Sequence, residues 1–166
     1  IFPSEQLGPV MRFDPATSRR NIQMGYYDTM RFMRELPGQL YYFSEKADGF
    51  AAFAALPENA IKAAGIPLRL PEGLSPRRAL FEHILPAVAA ELRLPREAGY
   101  DDLLLALLEH RAEQLGIGRF RWYTPAQLQA VIAESTALPE EPRRPLLRSR
   151  PLEAAEILAA ALPLLG

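Results

Sequence analysis

Ser75 is the serine whose surroundings come nearest to a nucleophile turn. It stands in Gly73-Leu74-Ser75-Pro76-Arg77, and the second glycine of a Gly-x-Ser-x-Gly elbow is missing. A Ser-Pro pair is instead the signature of a helix N-cap followed by a proline at the first helical position. The two histidines, His83 and His110, fall inside predicted helices, each next to a glutamate but with no second histidine nearby. The chain has no cysteine, so no metal and no cofactor is expected. Asp101-Asp102 and Glu140-Glu141 are adjacent carboxylates. Neighbours on a helix do not face each other, so neither pair suits an acid–base dyad. Asp101-Asp102 fits the first turn of a helix, where negative charge meets the dipole. Gly116-Ile117-Gly118 follows a predicted helix rather than a strand, which marks a helix end and not a phosphate loop. Two features can touch lipid headgroups or a partner. One is the cluster Arg143, Arg144, Arg148 and Arg150, and the other is Trp122 within Arg119-Phe120-Arg121-Trp122-Tyr123. A solvated Pro/Arg linker and packed aromatics are the plainer readings of the same residues.

These side chains need a scaffold, and composition says which. The 166 residues hold 25 Ala and 26 Leu against 3 Val, 8 Ile and 4 Thr. Ala and Leu lose little on entering a helix, whereas β-branched residues favour strands. The expected fold is mainly α, a bundle-like helical array with at most one or two short strands. The 16 prolines fit because Asp14-Pro15, Ser75-Pro76 and Thr124-Pro125 each start a helix. The spacing predicts a helix over 14–36, closed by Pro37-Gly38, with Ile22, Met30, Met33 and Leu36 on its apolar face. A short strand is expected at 39–43, and Ala-rich helical text then runs to 65. A proline-punctuated stretch at 66–74 divides a front part, 1–65, from a helical module, 75–166. In that module the helix opened by Ser75 is expected to kink or split at Pro86, and 136–151 to be an exposed linker. The formal charge is −1, which gives no pull toward nucleic acid. The strictly apolar runs 103–108 and 157–165 fall short of the ~20 residues that span a bilayer.

One phrase is more specific. Met11-Arg12-Phe13-Asp14-Pro15 leads into Ser18-Arg19-Arg20-Asn21-Ile22-Gln23-Met24-Gly25-Tyr26-Tyr27-Asp28-Thr29-Met30, and then Leu36-Pro37-Gly38 and Tyr41-Tyr42-Phe43 follow. This order resembles bacterial patatin-like phospholipases over about residues 1–43. The resemblance implies a serine acyl hydrolase whose α/β core carries a Ser–Asp dyad and a Gly-rich oxyanion loop. It makes Arg20, Asn21, Ile22, Gly25, Tyr26 and Asp28 motif residues with a structural role. The family's Gly-x-Ser-x-Gly and its Asp-Gly-Gly or Asp-Gly-Ala turn lie upstream of the matched phrase, and this chain has neither there. Asp48-Gly49 comes after the phrase and is followed by Phe50, so it does not map onto the catalytic aspartate.

The expectation is therefore a non-catalytic C-terminal portion of a lipid acyl hydrolase, with no catalytic residue of its own. It would support the hydrolase core and serve regulation, assembly or membrane apposition, in the cytoplasm or at a membrane's edge. The upstream catalytic part of the same polypeptide is the expected partner, and the opening Ile1-Phe2-Pro3 suits a longer chain or a processed one. The alternative is a stand-alone helical interaction module, homo-oligomeric or bound to another protein through the apolar faces of 75–115 and 152–165. Nucleic acid is not an expected partner.

Overall fold

The computed structural model describes residues 3, 4, 7, 14–71, 73–137 and 149–165. Among them stand seven helices and one pair of two-residue strands, so the fold is mainly α. The helices are α1 (Pro15–Met33), α2 (Gly49–Ala54), α3 (Glu58–Leu68), α4 (76–91), α5 (Tyr100–Gln114), α6 (Pro125–Ala137) and α7 (Arg150–Ala161). The strands β1 (Tyr42–Phe43) and β2 (Trp122–Tyr123) pair in parallel, Tyr42 against Trp122 and Phe43 against Tyr123.

Local chemistry starts the helices where the sequence predicts. Asp14 accepts from the Thr17 amide at 2.9 Å, and Ser75 accepts from the Arg78 amide at 3.4 Å. Thr124 and Gln127 exchange reciprocal bonds of 3.0 and 3.1 Å, a capping box that opens α6. Two ends differ from expectation. α1 stops at Met33, three residues short of Leu36. There Glu35 turns left-handed (φ 51°), its amide bonds Phe32 O, and the Leu36 amide reaches back to Arg31 O. That Schellman pattern satisfies the last carbonyls before Pro37 is reached. α3 runs through Gly65 to Leu68 and is closed by left-handed Arg69.

Pro86 does not split α4. A π-helical stretch, Ala79–Ile84, leads into Leu85–Glu91, and the Leu85 amide bonds Leu80 O, five residues back. The wider ring absorbs the missing proline amide without a break.

One core joins the two strands and α2 to α7. Phe43, Phe53, Ile61, Leu80, Ile84, Leu104, Leu128 and Leu158 are buried in a single cluster. α3 and α7 form the largest helix pair. Both present buried alanines, Ala60 and Ala64 on one and Ala154 and Ala155 on the other, and small side chains let two helices come close. Packing is thus continuous across 66–74, and α2 and α3 share their core with the helices of 75–166. α5 is central: all of Leu103 to Leu108 is buried, as expected for a helix apolar on every side. α2 meets its start so closely that a Cβ on Gly49 would lie 2.1 Å from Tyr100 O.

Candidate functional site: a charged cradle and an inverted helix

The segment 38–42 links α1 to β1, and its backbone is held almost wholly by charged side chains. The amides of Gln39, Leu40 and Tyr41 all donate to one oxygen, Glu109 Oε1, at 2.8, 3.0 and 2.9 Å. The carbonyls run to two arginines. Arg31 Nη1 donates to Gln39 O at 2.6 Å and Gly38 O at 3.3 Å, and Arg119 Nε donates to Leu40 O at 2.9 Å. Three successive amides converge on one atom only if the chain curls, and Gly38 provides the curl at φ 99°. A Cβ there would meet Phe43 Cδ2 at 2.7 Å and Tyr41 O at 2.8 Å, so glycine is required.

Glu109 is 3 % exposed. Burial pushes its carboxyl up from 4.5 to about 7, and the three amides and Arg31 only partly offset that rise. The hydroxyls of Tyr41 and Tyr42 are pushed up as well, first by burial. Tyr41 Oη donates to Ile117 O at 2.8 Å.

Asp28 forms the other half of the cradle. It is 3 % exposed and takes Tyr42 Oη at 3.0 Å and Arg31 Nη2 at 3.0 Å on Oδ1, and the Ser4 amide at 2.8 Å on Oδ2. The Tyr27 ring stacks on Tyr42 at 4.8 Å. The motif residue Asp28 thus anchors α1 to β1. Arg20 lies 5.9 Å over the Phe120 ring, and Asn21 Nδ2 donates to Leu7 O at 3.1 Å.

The remaining motif residues point away from the cradle. Ile22 is 74 % exposed, Tyr26 56 % and Met33 71 %, with Phe32 also exposed. Of the predicted apolar face of α1, Ile22 and Met33 therefore face outward, while Met30 and Leu36 are half-buried. The residues buried in α1 are Met24 and Asp28. Gly25 has open space around it, and a methyl group in place of its hydrogen would find no atom within 4 Å. No other part of the described chain approaches that position closely.

The lipid-contact candidates are scattered. Trp122 is half-buried and spends its ring on Tyr27 (5.4 Å) and Tyr42 (6.0 Å). Its ring partners among the described residues lie on α1 and β1. Arg150 opens α7 and is exposed, while Arg143, Arg144 and Arg148 lie outside the described residues. The apolar 157–165 run is mostly absorbed: Leu158 and Leu162 are buried, and Ile157 and Leu165 are half-buried.

The arrangement positions backbone. Ser75 caps α4. Ser149 caps α7 and donates to Glu91 Oε1 at 2.7 Å. Ser44 Oγ donates to Tyr123 O at 3.3 Å. Among the described residues no group of three or more His, Asp or Glu is placed to hold a metal ion. Glu109 and Arg31 are missing from the residues that the sequence singles out, and Arg119 enters them only within the basic and aromatic run around Trp122. A lone glutamate closing the apolar run Leu103 to Leu108 is the signal that points to the first, because a buried carboxylate needs donors. No model of a known protein family, no curated protein and no solved structure matches the chain.

Proposed function

We propose that this chain is the non-catalytic helical portion of a patatin-like lipid acyl hydrolase, seated on the catalytic part of the same polypeptide through the outer face of α1. The observation that carries the reading is the inverted polarity of α1. Ile22, Tyr26 and Met33 fall within roughly 40° of one another around the helix axis. They form an exposed apolar stripe with Gly25 beside it, while the inner side carries Asp28 and Arg31 in the cradle. A surface helix normally does the reverse, and a contiguous exposed apolar face marks a surface that something covers.

The phrase that resembles the hydrolase family supports the same division of labour. Its Asp28 and Tyr42 hold the helix to this chain, and its Ile22, Gly25 and Tyr26 are left for the neighbour. Ser75 and Ser149 are engaged in capping and Ser44 in a loop contact, which suits a supporting role rather than a nucleophilic one. Regulation, assembly or membrane apposition would then be services rendered to the catalytic part. Among the described residues no helix is long and apolar enough to cross a membrane.

The test is to read the natural coding sequence ahead of Ile1 and assay the full polypeptide on a chromogenic acyl ester. The expected result is a Gly-x-Ser-x-Gly upstream, turnover that a serine-directed phosphonate abolishes, and weaker turnover with Ile22→Asp. Phosphonate-sensitive turnover by residues 1–166 alone, or no elbow upstream, would contradict it. The stand-alone interaction module remains the second reading. It too would use the α1 face, since α7 buries most of its own apolar surface.

A further inference from the structure

A groove runs between the end of α3 and the start of α4, far in sequence from the cradle. It encloses about 380 Å³, within the range of roughly 300–1,000 Å³ typical of small-molecule sites. Its shape follows from the turn between the two helices. Arg69 closes α3 in the left-handed region, φ 54°, and the chain doubles back through Leu70 and Pro71. Pro71 on one edge and Pro76 on the other have fixed φ, so the rims are stiff. Gly65 leaves the floor open, and even a Cβ there would reach to 3.4 Å from Leu70 Cδ1.

Among the described residues the lining has two chemistries. Ile66, Leu70 and Leu74 give it a hydrocarbon wall, and Ile66 is 76 % exposed. The charged residues that line it, among those described, are Lys62 and Arg69, both cations and both exposed. Neither side chain makes an ion pair or hydrogen bond with a described residue. Arg78, by contrast, is engaged by Glu82 through two bonds of 3.0 Å. The chain's only two lysines are Lys46 and Lys62, and one of them is at this rim.

From this juxtaposition we infer that the α3–α4 groove binds a single-chain anionic amphiphile, with the alkyl chain along Ile66, Leu70 and Leu74 and the carboxylate or sulfate head between Lys62 and Arg69. The charge pattern selects this occupant over a neutral one, because Lys62 and Arg69 stand about two turns apart along α3 and both are cations, so an anionic head between them gains from each. The inference stands on the groove itself and holds whether or not the chain belongs to a hydrolase.

The test uses octanoate, decanoate and decanol below their aggregation limits, with binding followed by calorimetry and by backbone amide NMR shifts. Decanoate should saturate, shift amides within 61–74, and bind roughly tenfold tighter than octanoate, since each methylene contributes about three- to fourfold. Decanol should bind at least tenfold more weakly than decanoate. Lys62→Glu with Arg69→Glu should weaken decanoate at least tenfold and leave decanol unchanged. Both residues are exposed and helix content by circular dichroism should be intact; Lys62→Gln with Arg69→Gln gives the same comparison without charge reversal. Decanoate affinity equal to that of decanol, undiminished affinity in both double variants, or shifts confined to the cradle would overturn the assignment.

Discussion

α1 and α5 meet at the segment 38–41, and they handle polarity in opposite ways. α5 is apolar on nearly every side and carries one buried acid, Glu109, whose oxygen is filled by three amides. α1 turns its charges inward to Tyr42 and the loop and its apolar side chains outward. A buried polar group is tolerated where every donor and acceptor finds a partner. A contiguous exposed apolar face marks a candidate contact surface. So α5 is complete within this chain, and on the proposed function α1 is completed by a neighbour. Two glycines restate the contrast: Gly49 has a backbone pressed against it and Gly25 has nothing.

The largest expected effect is on the α5 side. Glu109→Ala strands three amides at once, at about 1–3 kcal/mol for each buried donor left unpaired. Partial relaxation brings the expected loss to about 4 kcal/mol, read from urea melts. A loss below about 1 kcal/mol would mean that water satisfies the loop and that Glu109 is not its anchor. Gly49→Ala follows, at about 3 kcal/mol, because the new methyl would drive into the Tyr100 carbonyl.

The next test separates the charge of Glu109 from its shape. Its folded value of about 7 lies above the ordinary 4.5, so folding takes up a proton between those values. The stability it contributes is full below pH 4.5 and is lost as pH rises through 7, on the order of 3 kcal/mol. Glu109→Gln keeps an oxygen for the amides and removes the titration. The stability of the natural chain minus that of Glu109→Gln should therefore fall between about pH 5 and pH 8. An unchanged difference would show that the carboxyl is not perturbed by its burial.

On the α1 side the effects are smaller, and one has the opposite sign. Gly25→Ala should stabilise residues 1–166 by about 1 kcal/mol, since it improves helix propensity in open space. The same change should weaken a complex in which a neighbour approaches that position. Smallest of all, Ile22→Asp should alter the stability of this chain by less than about 0.5 kcal/mol. A large loss in thermal melts would place Ile22 in this chain's own core.

The same contrast explains how much was legible in the sequence. Helix starts were, because a cap and its proline are neighbours: Asp14-Pro15, Ser75-Pro76 and Thr124-Pro125 act where they stand. The mainly α fold followed from Ala and Leu outnumbering the β-branched residues. The Glu109 cradle was not legible, since its donors lie 68 to 70 residues away, and neither was the pairing of β1 with β2 across a comparable gap. The π-helical stretch that carries Pro86 depends on a hydrogen-bond register that composition does not encode. The apolar face of α1 was read in outline, but its direction was not. Periodicity reports which side avoids water and says nothing about which body lies on that side.

Hydrogen exchange of the α1 amides tests that last point most directly. It is to be compared between residues 1–166 and the full natural polypeptide, with the α5 amides as the internal control. The account predicts that α1 slows by about tenfold or more in the longer chain while α5 keeps its rates. Equal α1 exchange in the two would contradict it, because the outer face of the helix would then be uncovered in both.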